Sequence, residues 1–375
     1  MLRYLTAGES HGKCLIAIVE GIPAGLRLKS SAIDCELARR QIGYGRSERM
    51  KIEEDHVEIL SGLRRSVTIG SPLCLLIPNR AGEKWSSLPP LTALRPGHAD
   101  LAGALKYGHK DLRNVLERAS ARETASRVAV GAIAKIFMRE LGVGIISHVT
   151  GIGSVKAGSA MEAAGVLSRQ VEIDKSPVRC FDKKAAGEMV KKIDEAKRRG
   201  DTLGGTFEVI VTGVPPGLGS YVHWDRRLDG CLSQAVMSIQ AIKGVEIGLG
   251  FGYAGPSGSE VHDEIFYRDG FGHRSNNAGG LEGGVTNGEP VILSAVMKPI
   301  PTLRKPLESI DFITGEKKKA SVHRSDVCAV PAAGIVAEAV VAIEIAKAFQ
   351  EKFGSDTLRE IKRNYKGYLK QVKCA

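Results

Sequence analysis

Thr206-Phe207-Glu208-Val209 alternates polar and apolar residues and opens an apolar run that ends at Thr212. A period of two places Phe207 and Val209 on one face of a strand and Thr206 and Glu208 on the other. That pattern belongs to antiparallel strands with one covered face, not to the doubly buried strands of a parallel sheet. Further runs predict strands over 2–6, 15–19, 57–60, 72–77, 143–149, 245–251 and 290–296. Ser30-Ser31 predicts a helix start, with Ile33 and Leu37 on one face through Arg40. After Arg118, Ser120 and Glu123 have capping-box spacing, Val128, Ala132 and Ile136 recur at helical intervals, and Gly142 stops the pattern. Helices are also expected over 182–199, 226–242 and 334–353. Strands and helices do not alternate strictly, so the fold class read from the residues is α+β.

The chain has 375 residues, 43% hydrophobic and 25% charged, enough to bury a large core without disulfides. No proline- or serine-rich linker divides it, so 1–375 reads as one domain. Two echoes lie half a chain apart and in the same order: Glu20 to Leu26 with Thr212 to Leu218, and Ile133 to Phe137 with Ile345 to Phe349. They predict a duplicated half, with chance likeness of turn and helix-end residues as the alternative. The formal charge of +11 draws anions without saying which. Aromatics make up only 5% and no nucleic-acid module appears, which places a nucleic-acid-binding role behind an enzyme. Seven cysteines without Cys-x-x-Cys spacing, no secretory leader and no long apolar run are expected of a reduced, cytoplasmic protein. The stretch 255–288, crowded with Gly, Ser and Asn, reads as a long loop covering a ligand.

Several motifs tempt and fail. Gly8-Glu9-Ser10-His11-Gly12 satisfies the hydrolase pattern Gly-x-Ser-x-Gly, but a strand follows where the nucleophile elbow needs a helix. Gly250 to Gly255 satisfies Gly-x-Gly-x-x-Gly, but Pro256 follows where a dinucleotide site needs a helix. Gly12-Lys13 lacks the rest of a Walker loop, and His262-Asp263 lacks further ligands, so no metal site is expected.

Five stretches carry chemistry instead. Arg39, Arg40, Arg46 and Arg49 lie within eleven residues broken by Gly43 and Gly45, and guanidinium forks match phosphate and carboxylate. His11 lies in a glycine turn where packing needs no imidazole, and His98 lies in a Pro-Gly turn between Arg95 and Asp100. Either can hold or deliver a proton near neutral pH. Arg118-Ala119-Ser120 precedes the capping box, where free amides attract phosphate, with Arg122 in support. His323-Arg324-Ser325-Asp326 precedes an apolar helix, with Asp326 either functional or a local cap.

Taken in order, these motifs resemble the chorismate synthase family nearly end to end. The resemblance is carried by Gly8 to Gly12, Arg40 to Met50, Arg95 to Asp100, Arg118 to Ala125, Ala241 to Gly248, Ser275 to Gly284, Lys298 to Thr302 and Arg324 to Asp326. It implies a helical layer between antiparallel sheets and a homotetramer. It also implies anti 1,4-elimination of phosphate and a ring hydrogen from 5-enolpyruvylshikimate 3-phosphate to give chorismate. Reduced FMN is required without net oxidation, lending an electron transiently; stable flavin oxidation with turnover would instead mark an ordinary flavin oxidoreductase. By the same resemblance, His11 protonates the departing phosphate, His98 sets the flavin's protonation state, and Asp326 acts in removing the ring proton. Ser10, Arg40, Arg46 and Arg49 bind the substrate, and Arg40 and Arg46 are associated with NADPH in members that reduce their own flavin. FMN contacts are implied for Arg118, Ala119, Ser120, Gln240, Ala241, Gly283, Lys298, Pro299, Ile300, Pro301, Thr302 and Arg324. The chain departs from the common pattern at Asn114 to Glu117, where many members have glycines, at Gln240 for Asn, and at Ser325 for His.

Overall fold

The computed structural model describes residues 1–47, 54–80, 88–158, 169–268, 270–322 and 326–373. Arg49, His323, Arg324 and Ser325 therefore lie outside the described residues. The first half of the chain gives β1 (Arg3–Ala7), β2 (Cys14–Glu20), α1 (Ser30–Gln41), β3 (Glu58–Ile59), β4 (Leu63–Arg64), β5 (Val67–Thr68) and β6 (Leu73–Pro78). Then come α2 (Asp100–Tyr107), α3 (Arg113–Ala119) and α4 (Thr124–Arg139). The second half gives β7 (Gly144–Ile152), β8 (Val155–Lys156), α5 (Gln170–Lys175), α6 (Lys183–Arg199), β9 (Gly205–Thr212), α7 (Leu228–Met237) and β10 (Ile242–Ile247). It continues through α8 (Gly258–Val261), the hairpins β11 (Ile265–Tyr267)/β12 (Phe271–His273) and β13 (Leu281–Glu282)/β14 (Val285–Thr286), and β15 (Val291–Met297). The hairpin β16 (Glu308–Ile310)/β17 (Lys317–Lys319) and the helices α9 (Val330–Phe353) and α10 (Leu358–Lys373) complete it.

Two antiparallel sheets form, ordered β1-β2-β6-β3 and β10-β15-β9-β7-β8. Helix α4 packs on β2 and β6, α9 packs on β7 and β9, and the two helices pack on each other. The helical layer thus lies between the sheets, as the resemblance implied. Apolar residues of both helices and of the inner strand faces, Phe137, Phe207 and Phe349 among them, are fully buried in one core.

The echo in the sequence is a repeat of the fold. With α2 and α3 set aside as insertions in the first half, and β8, α5, α6, α8 and the hairpins β11/β12 and β16/β17 in the second, both halves run strand, strand, helix, strand, hairpin, strand, helix, and the sheet order β1-β2-β6-β3 matches β7-β9-β15-β10. The match extends to single bonds. Thr68 Oγ1 donates to Pro23 O (2.6 Å) and accepts from Leu26 N (2.9 Å). Thr286 Oγ1 donates to Pro215 O (2.6 Å) and accepts from Leu218 N (2.8 Å). Chance likeness of turn residues does not produce the same pair of bonds at the same two turn positions.

Several boundaries differ from expectation. The helix expected over 226–242 stops at Met237, because Ala241 turns left-handed (φ 68°) and the chain enters β10 through a register shift. That strand ends at Ile247, and 250–254 form a 3-10 turn, not a strand. The stretch 255–288 is not one structureless loop. It folds into α8 and two hairpins, with the Asp263 carboxylate accepting from the amides of Asn277 and Ala278 (2.8 Å each). The polar face of β9 is covered too: Glu208 meets His148 at 3.0 Å, under Ile173 and Phe181. Ser30 lies inside α1, whose cap is Lys29. Among the described residues no helix is long and apolar enough to cross a membrane.

Charges are buried where the halves meet. Glu338 of α9 accepts from Lys135 (2.7 Å), Arg39 (2.8 Å) and Arg179 (3.1 Å), and Lys135 also donates to Glu36 (2.7 Å). Burial alone would raise the Glu338 carboxyl, but the three cations outweigh it and hold it well below the usual carboxylate range. Replacing Glu338 by Gln leaves those cations short of a counter-charge. The expected cost is about 3–5 kcal/mol of stability, read from the denaturant midpoint; a cost below about 1 kcal/mol would show the cluster to be dispensable.

Candidate active site

The turn Gly8 to Gly12 joins β1 to β2, with Gly8 left-handed (φ 105°) and Gly12 N donating to Glu9 O. A strand follows, so no nucleophile elbow forms, and the Ser10 hydroxyl meets Ser120 Oγ (3.2 Å). His11 is held twice by Glu117 of α3. Its backbone N–H donates to Oε2 (2.7 Å) and its ring Nδ1 lies 2.8 Å from Oε1. Ser10 N–H donates to the Glu117 carbonyl (3.1 Å). Asn79 donates to the carbonyls of Glu9 and Gly12, and Arg118 to those of Gly8 and Thr6, so the turn is fastened from three sides.

Arg40 lies in the last turn of α1 and is almost wholly buried. It donates to Asp55 (2.9 Å) and weakly to Thr124 Oγ1 (3.4 Å), while its buried Nε has no hydrogen-bond partner among the described residues. Burial, reinforced by the nearby Arg46 and Arg122 charges, pushes this guanidinium below its ordinary value, with Asp55 opposing. The other Asp55 oxygen accepts from Arg122 (2.6 Å), which also donates to Asn79 Oδ1 (2.9 Å). Arg122, expected to reinforce a phosphate site at this helix start, thus bridges Asp55 and Asn79. The expected capping box is absent. Ser120 caps only the three-residue 3-10 turn Ala121–Glu123, and the Glu123 carboxylate turns to Thr6, Arg127 and Gln240.

Asp326 spends both oxygens on one loop: Oδ2 pairs with Arg46 (2.8 Å) and Oδ1 accepts the Ser47 N–H (2.6 Å). It is not the cap of the following helix, whose N-cap is Ala329. In the turn Arg95 to Asp100, His98 Nδ1 and Arg95 both reach Asp100 Oδ1 at 2.7 Å. Burial would raise the Asp100 carboxyl, but hydrogen bonds from Arg95 and His98 hold it well below the usual range. Lys298 Nζ donates to Gly97 O, and Lys298 N to Ala241 O (2.9 Å), so the segments 95–100, 240–241 and 298–302 adjoin. Thr202 Oγ1 donates to Ile300 O (2.7 Å) and Thr302 is buried. Gln240 donates to Glu123 (3.3 Å), and its buried Oε1 has no hydrogen-bond partner among the described residues.

One connected network thus joins Ser10, His11, Arg40, Arg118 and Ser120, and reaches His98 through Glu123, Gln240, Ala241 and Lys298. Arg46 and Asp326 form a pair whose arginine acts on Arg40. Gly283 stands at the β13–β14 turn beside Tyr221 and is not joined to the network by hydrogen bonds among the described residues. A hollow of about 900 Å³, lined by Gly25, Arg359, Lys362, Lys366 and Lys370 among others, contains none of these groups. The network, which holds both carboxylate-paired histidines, is the candidate site. Sequence reading missed Asp55, Asn79 and Glu117; the only signal was the departure at Asn114 to Glu117, which is helix and not a loop of uncertain shape.

Buried arginines, two carboxylate-held imidazoles and an acid define an anion-handling enzyme that moves protons. The family model described as chorismate synthase matches residues 2–350. The chorismate synthase of Pelobacter propionicus is 57% identical over the full length of both chains. That of Desulforudis audaxviator is 56% identical over all of this chain and 99% of its own. A crystal structure of chorismate synthase superposes with a TM-score of 0.84 at 46% identity, covering 100% of this chain and 99% of that one. The chain belongs to the chorismate synthase family, carbon–oxygen lyases of the shikimate pathway.

Asp100→Asn tests how His98 is held. The native carboxyl is depressed, so its contribution to stability is complete above the unfolded value, about 3.9, and fades as pH falls below it. The variant is expected to melt lower than wild type at pH 7, with the gap narrowing below about pH 4. A gap independent of pH would mean that packing, not charge, is lost.

Proposed function

We propose that the chain catalyses anti 1,4-elimination of phosphate and a ring hydrogen from 5-enolpyruvylshikimate 3-phosphate, giving chorismate with reduced FMN as cofactor. What carries this reading is the hydrogen-bonded connection between the turn bearing His11, the buried Arg40 and the turn bearing His98. The substrate brings a phosphate and two carboxylates, and guanidinium forks suit all three. Arg40 and Arg46, with Ser10 and Arg49, bind these groups. Arg40 is the anchor: its orientation is set by Asp55, and its unpartnered Nε leaves a donor for an anion.

His11 supplies the proton that makes phosphate a better leaving group. Asp326 assists loss of the ring hydrogen, and its pairing with Arg46 places the acid beside the substrate-binding arginines. His98, locked to Asp100, holds a proton next to the cofactor. The residues fit FMN: Gln240 Oε1 is a buried acceptor without a donor, which a ring N–H would satisfy, and Lys298 stands next to it in space. Arg118, Ala119, Ser120, Ala241, Gly283, Pro299, Ile300, Pro301, Thr302 and Arg324 would complete the cofactor site. Bound reduced FMN supplies electron density that eases C–O cleavage. NADPH would enter at Arg40 and Arg46 only if the protein reduces its own flavin. The setting is cytoplasmic.

An anaerobic assay with chemically reduced FMN should release phosphate and chorismate in equal amounts while the flavin stays reduced; flavin oxidised in step with turnover would point to an oxidoreductase. His11→Ala should bind FMN and substrate but lose about 10²–10⁴-fold in kcat. Wild-type turnover in that variant would remove His11 from the chemistry.

The assembly proposed is a homotetramer. On the sheet face turned away from the helices, Leu5, Ile18 and Cys74 are register neighbours across three strands, and Leu5 is 71% and Ile18 47% exposed. Such an apolar row asks for a partner. Leu5→Asp with Ile18→Asp should lower the mass seen by light scattering without loss of secondary structure; an unchanged tetramer would place the interface elsewhere.

A further inference from the structure

The grip of Glu117 on His11 has the form of a built device. The carboxylate is 4% exposed and the imidazole 33%, so the acid is buried behind the ring and the ring faces outward. One carboxylate oxygen holds the His11 backbone and the other its Nδ1, which fixes both the turn and the ring plane. A carboxylate in its ionised form can only accept, and against such a partner the shared proton belongs on Nδ1. We propose that Glu117 is the positioning residue for His11: it keeps Nδ1 protonated, so that the proton given to the departing phosphate leaves from Nε2.

This inference rests on His11 being the proton donor, as proposed above. The step balances as follows. The C–O bond breaks with its electron pair going to the phosphate oxygen, while the pair of the C–H bond, whose hydrogen leaves as a proton in the same elimination, and the shifting ring π pair form the two double bonds of the diene. The Nε2–H bond of the imidazolium breaks as an O–H bond forms on phosphate. The ring is left as the neutral Nδ1–H tautomer, and Glu117 stays ionised throughout.

The test is clean because the turn does not depend on this carboxylate alone: Asn79 and Arg118 also hold it. In the full-length protein with reduced FMN, Glu117→Gln is expected to lower kcat by about 10–10²-fold, with substrate KM within about twofold of wild type. Nitrogen NMR of labelled histidine should show His11 as the Nδ1–H tautomer in wild type and a shift toward Nε2–H in the variant. Glu117→Asp, which keeps the charge, should recover the Nδ1–H signature and part of the rate. The double variant with His11→Ala should be no slower than His11→Ala alone. A wild-type kcat in Glu117→Gln, or effects that multiply in the double variant, would overturn the role of Glu117 while leaving His11 in place. Wild-type turnover in His11→Ala would overturn the proton-donor reading and this inference with it. Should Glu117→Gln fold poorly, an unshifted His11 tautomer in Glu117→Asp still supports the inference, and a shifted one overturns it.

Discussion

Helices α4 and α9 can cross in contact only because position 131 has no side chain. A Cβ at Gly131 would stand 2.4 Å from Ala339 Cα and 2.7 Å from its carbonyl oxygen, distances no packed core tolerates. Each helix ends its own half of the repeat, so this crossing is where the halves become one body. Lys135, one turn beyond Gly131, reaches Glu338, the neighbour of Ala339, so the buried ion cluster is set by the same crossing. The site hangs from the entrances to these two helices. Thr124 begins α4 and touches Arg40; Asp326 precedes α9 and holds Arg46. A change in the crossing would move both arginines.

The repeat explains why much of the fold could be read from the residues. Gly21 and Gly25 are left-handed, and so are Gly213 and Gly217, and glycine at such positions leaves a visible mark. Where the same geometry is met without glycine the mark vanishes. Arg65 and Ser66 occupy the left-handed region in one hairpin turn, and Gly283 and Gly284 do so in the matching turn of the other half. Ala241 hid a boundary in the same way: an apolar residue at φ 68° looks in sequence like one more helix residue. Helices α2 and α3 went unread because they are short and owe their stability to a small core of Leu94, Ala104, Leu112 and Val115, not to a long apolar stripe.

At the site, the groups whose residue type is itself chemistry were legible: arginines near glycines, histidines in turns, and an acid before a helix. Their partners were not. Asp55 lies 67 residues from Arg122, and Glu117 lies 106 from His11. No spacing rule reaches that far, and an isolated Asp or Glu in a charged stretch looks like solvated surface. The partners decide what the legible groups do. Arg122, expected at a phosphate, is held by Asp55, and Ser120 caps a single turn.

Both histidines take their carboxylate from one helical hairpin. Asp100 opens α2 and holds His98; Glu117, near the end of α3, holds His11. The two helices pack on each other around the small core that includes Leu112 and Val115, with Ala119 against its edge. That core is separate from the main one, so orientation of the two imidazoles is coupled through a unit whose loss need not unfold the sandwich. Gly103 shows how tight the unit is: a Cβ there would stand 2.6 Å from Val115 Cγ1. Because the same hairpin sets the ring planes of both histidines, a shift of α2 against α3 changes their relation to each other as well as to the arginines. The large sandwich fixes where Arg40 and Arg46 sit, and this small hairpin fixes how the two imidazoles are held beside it.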